Sequence, residues 1–290
     1  MSLVITGASG HLGRRTAELL LDTEGVDAAG VVLVTRDPAK LDDLAARGAT
    51  VRHGDFDQPD SLVGAFAGAT RVLIVSTDAV GARVAQQQAA IDAAKAAGAR
   101  LIAYTSIPNP VEDNPAGVVP DHAATERALV ASGVPYTFLR NALYAEYRVP
   151  EAQHAIATGS FQHDTGDGAT AYVSREDCAA AAAAVLAGGD EHANKTYTIT
   201  GPEPLTADGL AKVYGSVGGT EVTAVAVDDD TFAAGLVAAG LPAVAAPLLV
   251  SFSVAIREGK LADLTGDVEA LTGRAPRPLA EVLTGALATA

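Results

Sequence analysis

Seven residues near the N-terminus constrain this chain more than any other feature. Gly7-Ala8-Ser9-Gly10-His11-Leu12-Gly13 sets three glycines at a G-x-x-G-x-x-G spacing. They follow a short apolar run, Leu3-Val4-Ile5, and lead into a segment of helical spacing from His11 to Leu21. A strand that turns at glycine and continues as a helix leaves backbone amides at the positive end of the helix dipole, where anions bind. The first glycine permits the turn, the second lets the backbone approach a pyrophosphate, and the third lets helix and strand pack closely. In this setting Gly7, Ala8, Ser9, Gly10, His11, Leu12 and Gly13 are expected to cradle a dinucleotide, with the amides of Ala8 to Leu12 facing its phosphates. The plain alternative is a tight strand-to-helix turn with no ligand.

The following segments repeat the strand-then-helix alternation. Strands are expected at Val31–Val34, Thr50–His53, Val72–Val75, Leu101–Thr105 and Tyr136–Leu139. Helices are expected at Ala39–Arg47, Pro59–Phe66, a segment ending at Gly98 with Val84, Gln88 and Ile91 on one face, and Asp121–Ala131. Such alternation specifies a doubly wound parallel sheet of Rossmann type. The second half is less regular. An alanine-rich helix spans Arg175–Leu186, strands are expected at Thr196–Ile199 and Val222–Val227, and a helix at Leu205–Val213. The expected division is a dinucleotide-binding domain over 1–150 and a smaller α/β substrate lobe over 151–290. The segment near 196–200 is a candidate to return to the main sheet.

Composition excludes several classes. At 49% hydrophobic and 19% charged, the 290 residues can build a core and are not dominated by disorder. The single cysteine, Cys178, calls for no oxidising compartment and reads as inert core. A net charge of −15 disfavours nucleic acid as a partner, so any bound phosphate needs local dipoles or a placed arginine. The longest apolar stretch, Leu241 to Ile256, holds two prolines and is shorter than the roughly 20 residues of a membrane span. With no targeting segment visible, a cytoplasmic protein without membrane partners is expected. His53, His154, His163 and His192 lack metal-ligand spacing, so no metal is expected.

The end of the second strand separates the two nicotinamide coenzymes. NAD sites use an acidic residue there, whereas this chain has Thr35-Arg36, followed by Lys40. A guanidinium grips a 2′-phosphate, so Arg36 and Lys40 favour NADPH. Asp37 either holds ribose hydroxyls or caps the helix at Pro38. After the third strand, Asp55 and Phe56 either border an adenine or serve the turn and the core. Asp57 or Gln58 is expected near the cap of the next helix. Ser76, Thr105 and Ser106 end the next strands, where open sheets bind ligands.

Gly7–Gly13, Arg36-Asp37-Pro38-Ala39-Lys40, Tyr104-Thr105-Ser106 and Phe138-Leu139-Arg140-Asn141-Ala142-Leu143-Tyr144 together resemble the NmrA-like atypical short-chain dehydrogenase/reductase family. The likeness extends to its type 2 NAD(P)H:quinone oxidoreductases and triphenylmethane reductases. It implies a monomeric or homodimeric reductase that passes hydride from NADPH to a quinone or a cationic dye. The family name also covers non-catalytic redox sensors. A biosynthetic reductase of an aromatic or imine intermediate is a further alternative.

One departure from ordinary short-chain dehydrogenases bears on mechanism. Their Tyr-x-x-x-Lys pair is missing, since no tyrosine lies between Tyr104 and Tyr136 and no lysine between Lys95 and Lys195. In that register His122 takes the lysine position. It is a candidate to supply a proton, to bind the nicotinamide ribose, or simply to pair with Glu126 one helical turn on. Asn141 can hydrogen-bond a quinone carbonyl or the nicotinamide amide. Tyr144 and Tyr147 can stack on a flat aromatic substrate, with Tyr172 as a weaker addition, or can pack between the lobes.

Overall fold

The computed structural model describes residues 1–79 and 81–288. The first strands are β1 (Leu3–Ile5), β2 (Val31–Thr35), β3 (Thr50–His53), β4 (Arg71–Ile74), β5 (Leu101–Ser106) and β6 (Tyr136–Asn141). Between them run α1 (His11–Asp22), α2 (Asp42–Ala46), α3 (Pro59–Ala65), α4 (Arg83–Ala96) and α5 (Val119–Ser132). Then follow α6 (Val149–Thr158), β7 (Ser160–His163), α7 (Arg175–Gly188), β8 (Lys195–Ile199), α8 (Ala207–Gly218) and β9 (Thr223–Ala226). The chain closes with α9 (Asp229–Ala238), α10 (Ala246–Arg257), α11 (Asp267–Thr272) and α12 (Leu279–Ala288).

Seven strands pair in parallel in the order β3-β2-β1-β4-β5-β6-β8, a doubly wound sheet with its switch between β1 and β4. The strands alternate between two cores, as a period of two requires. Leu3, Ile5, Leu33, Leu73, Leu101 and Leu139 face α1 and α7. Val4, Val32, Val72, Ile74, Ile102 and Tyr104 face the layer of α3, α4 and α5.

The chain does not divide simply at residue 150. α7 packs on α1 against the main sheet, β8 joins that sheet beside β6, and α11 packs on α7. The smaller lobe gathers α6, the parallel pair β7–β9, α8 and α12 around Phe161, Leu210, Tyr214 and Leu283. α10 packs Ala255 and Ile256 against Ile107, Val118 and Val119 of the main domain.

Several local expectations shift. The helix expected over 39–47 splits into a 3-10 turn, Pro38–Leu41, and the short α2. α8 starts at Ala207 because the Thr206 hydroxyl accepts from the Gly209 amide at 3.2 Å. On α4 the inward face is Arg83, Gln87, Ala90, Ile91 and Ala94, while Val84 and Gln88 turn outward. Buried polar groups are tolerated there because they are bonded: Gln87 Nε2 donates to Thr125 Oγ1 at 3.1 Å. β4 begins with buried Arg71, whose Nη1 donates to the Leu186 and Ala187 carbonyls at 2.7 and 2.8 Å. That arginine satisfies carbonyls at the C-terminus of α7 that would otherwise be orphaned.

The alanines of α7 have a packing reason. Ala179, Ala181, Ala182 and Ala183 are fully buried where α7 packs on the sheet, α1 and α11. Ala181→Leu is therefore expected to destabilise the fold by about 1–3 kcal/mol through overpacking. Urea unfolding monitored by circular dichroism checks this, and an unchanged midpoint would refute the close packing.

Candidate functional site

The glycine loop is built by three separate constraints. Gly7 has φ +60°, which favours glycine. A Cβ on Gly13 would lie 2.5 Å from the Gly7 carbonyl oxygen, so a side chain there would push α1 off β1. A Cβ on Gly10 would meet the same oxygen at 3.3 Å, a tighter but softer limit. Not all five amides expected to face a phosphate are free. Ala8 N–H donates to the Val34 carbonyl at 3.2 Å and Gly10 N–H to the Gly7 carbonyl at 2.9 Å. The turn itself consumes them. The first turn of α1, with Gly10 at the N-cap, has no capping side chain, which leaves the His11 and Leu12 amides open to an anion. Ser9 Oγ lies 2.9 Å from Thr35 Oγ1 and ties the loop to the end of β2. Thr6 ties β1 to β4 in the same way, donating to the Leu73 carbonyl and accepting from the Val75 amide.

Arg36 is exposed at the end of β2 and makes no hydrogen bond or ion pair among the described residues. Its neighbours are held. Arg14 Nη1 on α1 donates to the Lys40 carbonyl at 3.2 Å, and the same guanidinium pairs with Glu18 and Asp43. Asp37 sits at the N-cap position of the 3-10 turn, but its carboxylate makes no capping bond there. It lies 3.9 Å from Lys40 Nζ in an exposed pair.

After β3, Asp55 organises its own loop. Its carboxylate accepts from the Asp57 amide at 3.1 Å and from Gln58 Nε2 at 3.3 Å. Gln58 occupies the N-cap of α3 without a side-chain capping bond, and Asp57 accepts instead from Gln86 Nε2 at 2.8 Å. Phe56 is half-buried against the α3–α5 core.

Among the strand-end hydroxyls, Ser76 and Thr105 come together and Ser106 departs. Thr105 Oγ1 accepts from the Ser76 amide at 2.8 Å and donates to Ser76 Oγ at 3.2 Å. Ser106 points instead to α5, donating to Glu126 Oε1 at 2.7 Å. Glu126 also receives Arg140 Nε and Nη2 at 3.0 and 2.7 Å. Ser106 is thus committed to a largely buried ion pair, unlike Ser76 and Thr105, which were expected beside it on the nicotinamide side.

Glu126 is therefore no partner for His122. The imidazole is 6% exposed, with Nδ1 2.8 Å from the Tyr104 hydroxyl and Nε2 3.5 Å from Arg83 Nη1. Arg83 in turn donates from Nε to the Thr77 carbonyl at 2.6 Å, beyond β4. Burial first, and the nearby guanidinium second, lower the His122 pKa to about 3. A ring held neutral and bonded at both nitrogens is a poor proton donor at neutral pH, so His122 is better described as a strut between α5 and the β4 end. Spacing within α5 could not reveal this, since Arg83 lies on another helix.

Asn141 and Tyr144 meet. Asn141 is buried at the end of β6, and its Nδ2 donates to the Tyr144 hydroxyl at 3.3 Å, while its Oδ1 is buried without a partner. Burial pushes the Tyr144 hydroxyl pKa up, so it keeps its proton. The Tyr144 and Tyr147 rings lie 5.7 Å apart, with the Arg175 guanidinium 5.3 and 4.9 Å from their centroids. Tyr144 borders a cavity of about 320 Å³ that continues into the smaller lobe past Tyr172, Phe161, Phe232 and Phe252. Its wall is mostly apolar, as small-molecule sites usually are. Cys178 lies buried in α7 outside that wall, its thiol pKa raised by burial.

Among the described residues no three His, Cys, Asp or Glu side chains converge as a metal site would require. Among them, no helix is long and apolar enough to cross a membrane.

Known proteins share this fold. Residues 7–188 match a family model described as NAD(P)H-binding. The sequence is 38% identical to quinone oxidoreductase 2 of Escherichia coli K12, over 96% of each chain. The structure of the NADPH-dependent quinone oxidoreductase of Escherichia coli complexed with NADPH matches with a TM-score of 0.92 at 37% identity, covering 98% of this chain and 99% of the other. The triphenylmethane reductase of Citrobacter sp. also matches with a TM-score of 0.92, at 34% identity over 99% and 100% of the two chains.

The depressed His122 pKa has a thermodynamic consequence. Between pH 6.5 and about 3 the unfolded chain binds a proton that the folded chain refuses. Stability should therefore fall with decreasing pH by up to about 1.4 kcal/mol per unit from this residue. His122→Gln should remove that component. Urea unfolding at pH 7, 6 and 5 measures the slope, and identical slopes in both proteins would contradict a neutral buried ring.

Proposed function

The chain belongs to the NAD(P)H-binding family, in its NmrA-like branch, and from that premise we propose that it reduces quinones with NADPH. It is an NAD(P)H-dependent oxidoreductase acting on a small molecule. The observation that carries the quinone assignment is the Tyr144 hydroxyl, which accepts from Asn141 Nδ2 and so keeps its own O–H free for a carbonyl oxygen, at the border of a mostly apolar cavity.

The residues fit the coenzyme. The uncapped N-terminus of α1 suits the pyrophosphate, and uncommitted Arg36, with Lys40 nearby, suits the 2′-phosphate. Asp55 and Phe56 flank the adenine end in this arrangement, and Ser76 and Thr105 the nicotinamide end. Bound there, NADPH supplies a hydride. Asn141 offers Oδ1 to a carboxamide or holds the acceptor through Nδ2. Tyr144 and Tyr147 orient a planar acceptor by stacking, and the apolar wall limits water. His122 holds its single proton in the strut with Tyr104 and Arg83 and acts at a distance, through the Thr77 carbonyl that Arg83 grips. A quinone accepts hydride without a strong buried acid, which suits a site without the Tyr-Lys pair.

Reduction of a cationic dye is the second reading, favoured by the net charge of −15 and the likeness to the Citrobacter enzyme. NADPH oxidation followed at 340 nm with benzoquinone, menadione and malachite green separates the two. Turnover of the quinones is expected. Turnover of the dye alone would replace the quinone assignment, and binding of both coenzyme forms without any turnover would replace it with a sensor.

Arg36→Ala should weaken NADPH by about 1–3 kcal/mol and leave NADH nearly unchanged, the scale of a charge-assisted hydrogen bond. Calorimetric titration measures both, and equal loss for the two coenzymes would remove the 2′-phosphate role. Asn141→Ala should lower kcat/KM for menadione about 10- to 100-fold, as expected for a lost orienting contact. Unchanged turnover would take Asn141 out of the site.

A further inference from the structure

The cavity that begins at Tyr144 ends in the smaller lobe, and its charged wall residues are unequally provided for. Arg148 Nη1 pairs with both oxygens of Glu151 at 3.3 and 3.2 Å, and Glu151 Oε1 accepts from the Tyr214 hydroxyl at 2.7 Å. His163 Nδ1 lies 3.2 Å from Thr165 Oγ1. Asp164 differs. It is 2% exposed, and neither carboxylate oxygen has a hydrogen-bond partner. The neighbouring cation favours its charge from a distance but makes no hydrogen bond to the carboxylate. Arg257 commits Nη1 and Nη2 to Asp229 at 2.9 and 3.1 Å, and reaches Asp164 only at its main-chain carbonyl. The Ser253 hydroxyl on α10 and the residue's own backbone amide ease the charge without reaching hydrogen-bond geometry with either oxygen. Burial, the largest influence, raises the carboxyl pKa above its usual range.

The loop that carries Asp164 is fixed. Gly166 has φ +54°, and a Cβ on Gly168 would lie 2.3 Å from the Ile256 carbonyl oxygen. The backbone after β7 is therefore wedged against the end of α10. A buried carboxylate that lacks a partner is costly, and one that is retained at a cavity wall calls for a group that completes it, such as a water, an ion or a ligand.

We propose that Asp164 anchors an amino or hydroxyl substituent of the hydride acceptor, at the end of the molecule remote from Asn141 and Tyr144. The preferred acceptor is then a flat, mostly apolar ring system with an N–H or O–H donor on its far edge. Asp164 has this role only if the cavity holds the acceptor of the reaction proposed above.

The test compares 1,4-naphthoquinone with 6-amino-1,4-naphthoquinone in the wild type, Asp164→Asn and Asp164→Leu. Ratios between proteins cancel the intrinsic difference in reactivity of the two quinones. In Asp164→Leu the aminoquinone should lose about 10- to 100-fold in kcat/KM relative to the unsubstituted quinone, mainly through KM, the scale of a hydrogen bond to a charged group. Asp164→Asn, which keeps one acceptor oxygen and the shape, should fall between. NADPH affinity should be unchanged in both variants, which also reports that they are folded. Equal changes for the two quinones, or none, would overturn the proposal. If the wild type reduces neither quinone, the quinone assignment fails by itself. Asp164 is then judged by calorimetric binding of 2-naphthylamine against 2-methylnaphthalene. A preference for the amine that Asp164→Leu abolishes would uphold the anchor, and no preference would overturn it.

Discussion

A helix can begin within contact of the strand that precedes it only if no side chain stands between them, and Gly13 over the Gly7 carbonyl meets that condition. The rest of the architecture follows from this approach. It sets the N-terminus of α1 at the end of β1, where the sheet order switches and ligands bind in open sheets. It also sets the depth at which α1 lies on the sheet. α7 can then pack beside it only through alanines, and Arg15 Nε and Nη2 lock the two helices through Glu176 at 2.6 and 3.0 Å. The phosphate end of the site and the packing of the opposite half of the chain share one steric cause.

A chain of net charge −15 nonetheless builds a site for an anionic coenzyme, and it does so locally. Most of its arginines are occupied inside the protein. Arg14, Arg15, Arg71, Arg83 and Arg140 hold α1, α7, the β4 end and α5 in place. Arg36 is left free at the end of β2, beside open backbone dipoles whose effect does not depend on net charge. Long-range repulsion falls off within about 10 Å in salt, whereas these contacts act at hydrogen-bond distance.

The polar interior is mostly satisfied, which makes the exceptions informative. Of these, Asn141 Oδ1 lies next to Tyr144 at the cavity border, and Arg148 Nε and the Asp164 carboxylate belong to residues of its wall. The rest of the wall is mostly aromatic and aliphatic. The cavity is made by both halves of the chain, because Leu143 and Tyr144 follow β6 while Phe232 and Phe252 come from α9 and α10.

What the sequence determined by itself was local. Strand positions, the glycine turn and the exposed arginine after β2 follow from patterns within a few residues, where steric rules and a period of two act directly. Asn141 and Tyr144, three apart at a strand end, belong to the same class. The tertiary structure decided whatever depends on a distant partner. Arg71 meets the end of α7 across 115 residues, His122 meets Arg83 across 39, and Ser106 turns away to Glu126. The amides of Ala8 and Gly10 were legible as part of a cradle, but not as already spent on Val34 and Gly7. Asp164 showed no signal, because a lone aspartate after a strand reads as solvated until packing removes the water. Hydrogen-bond commitment and burial are properties of pairs brought together by the sheet order, and no window of sequence contains both members.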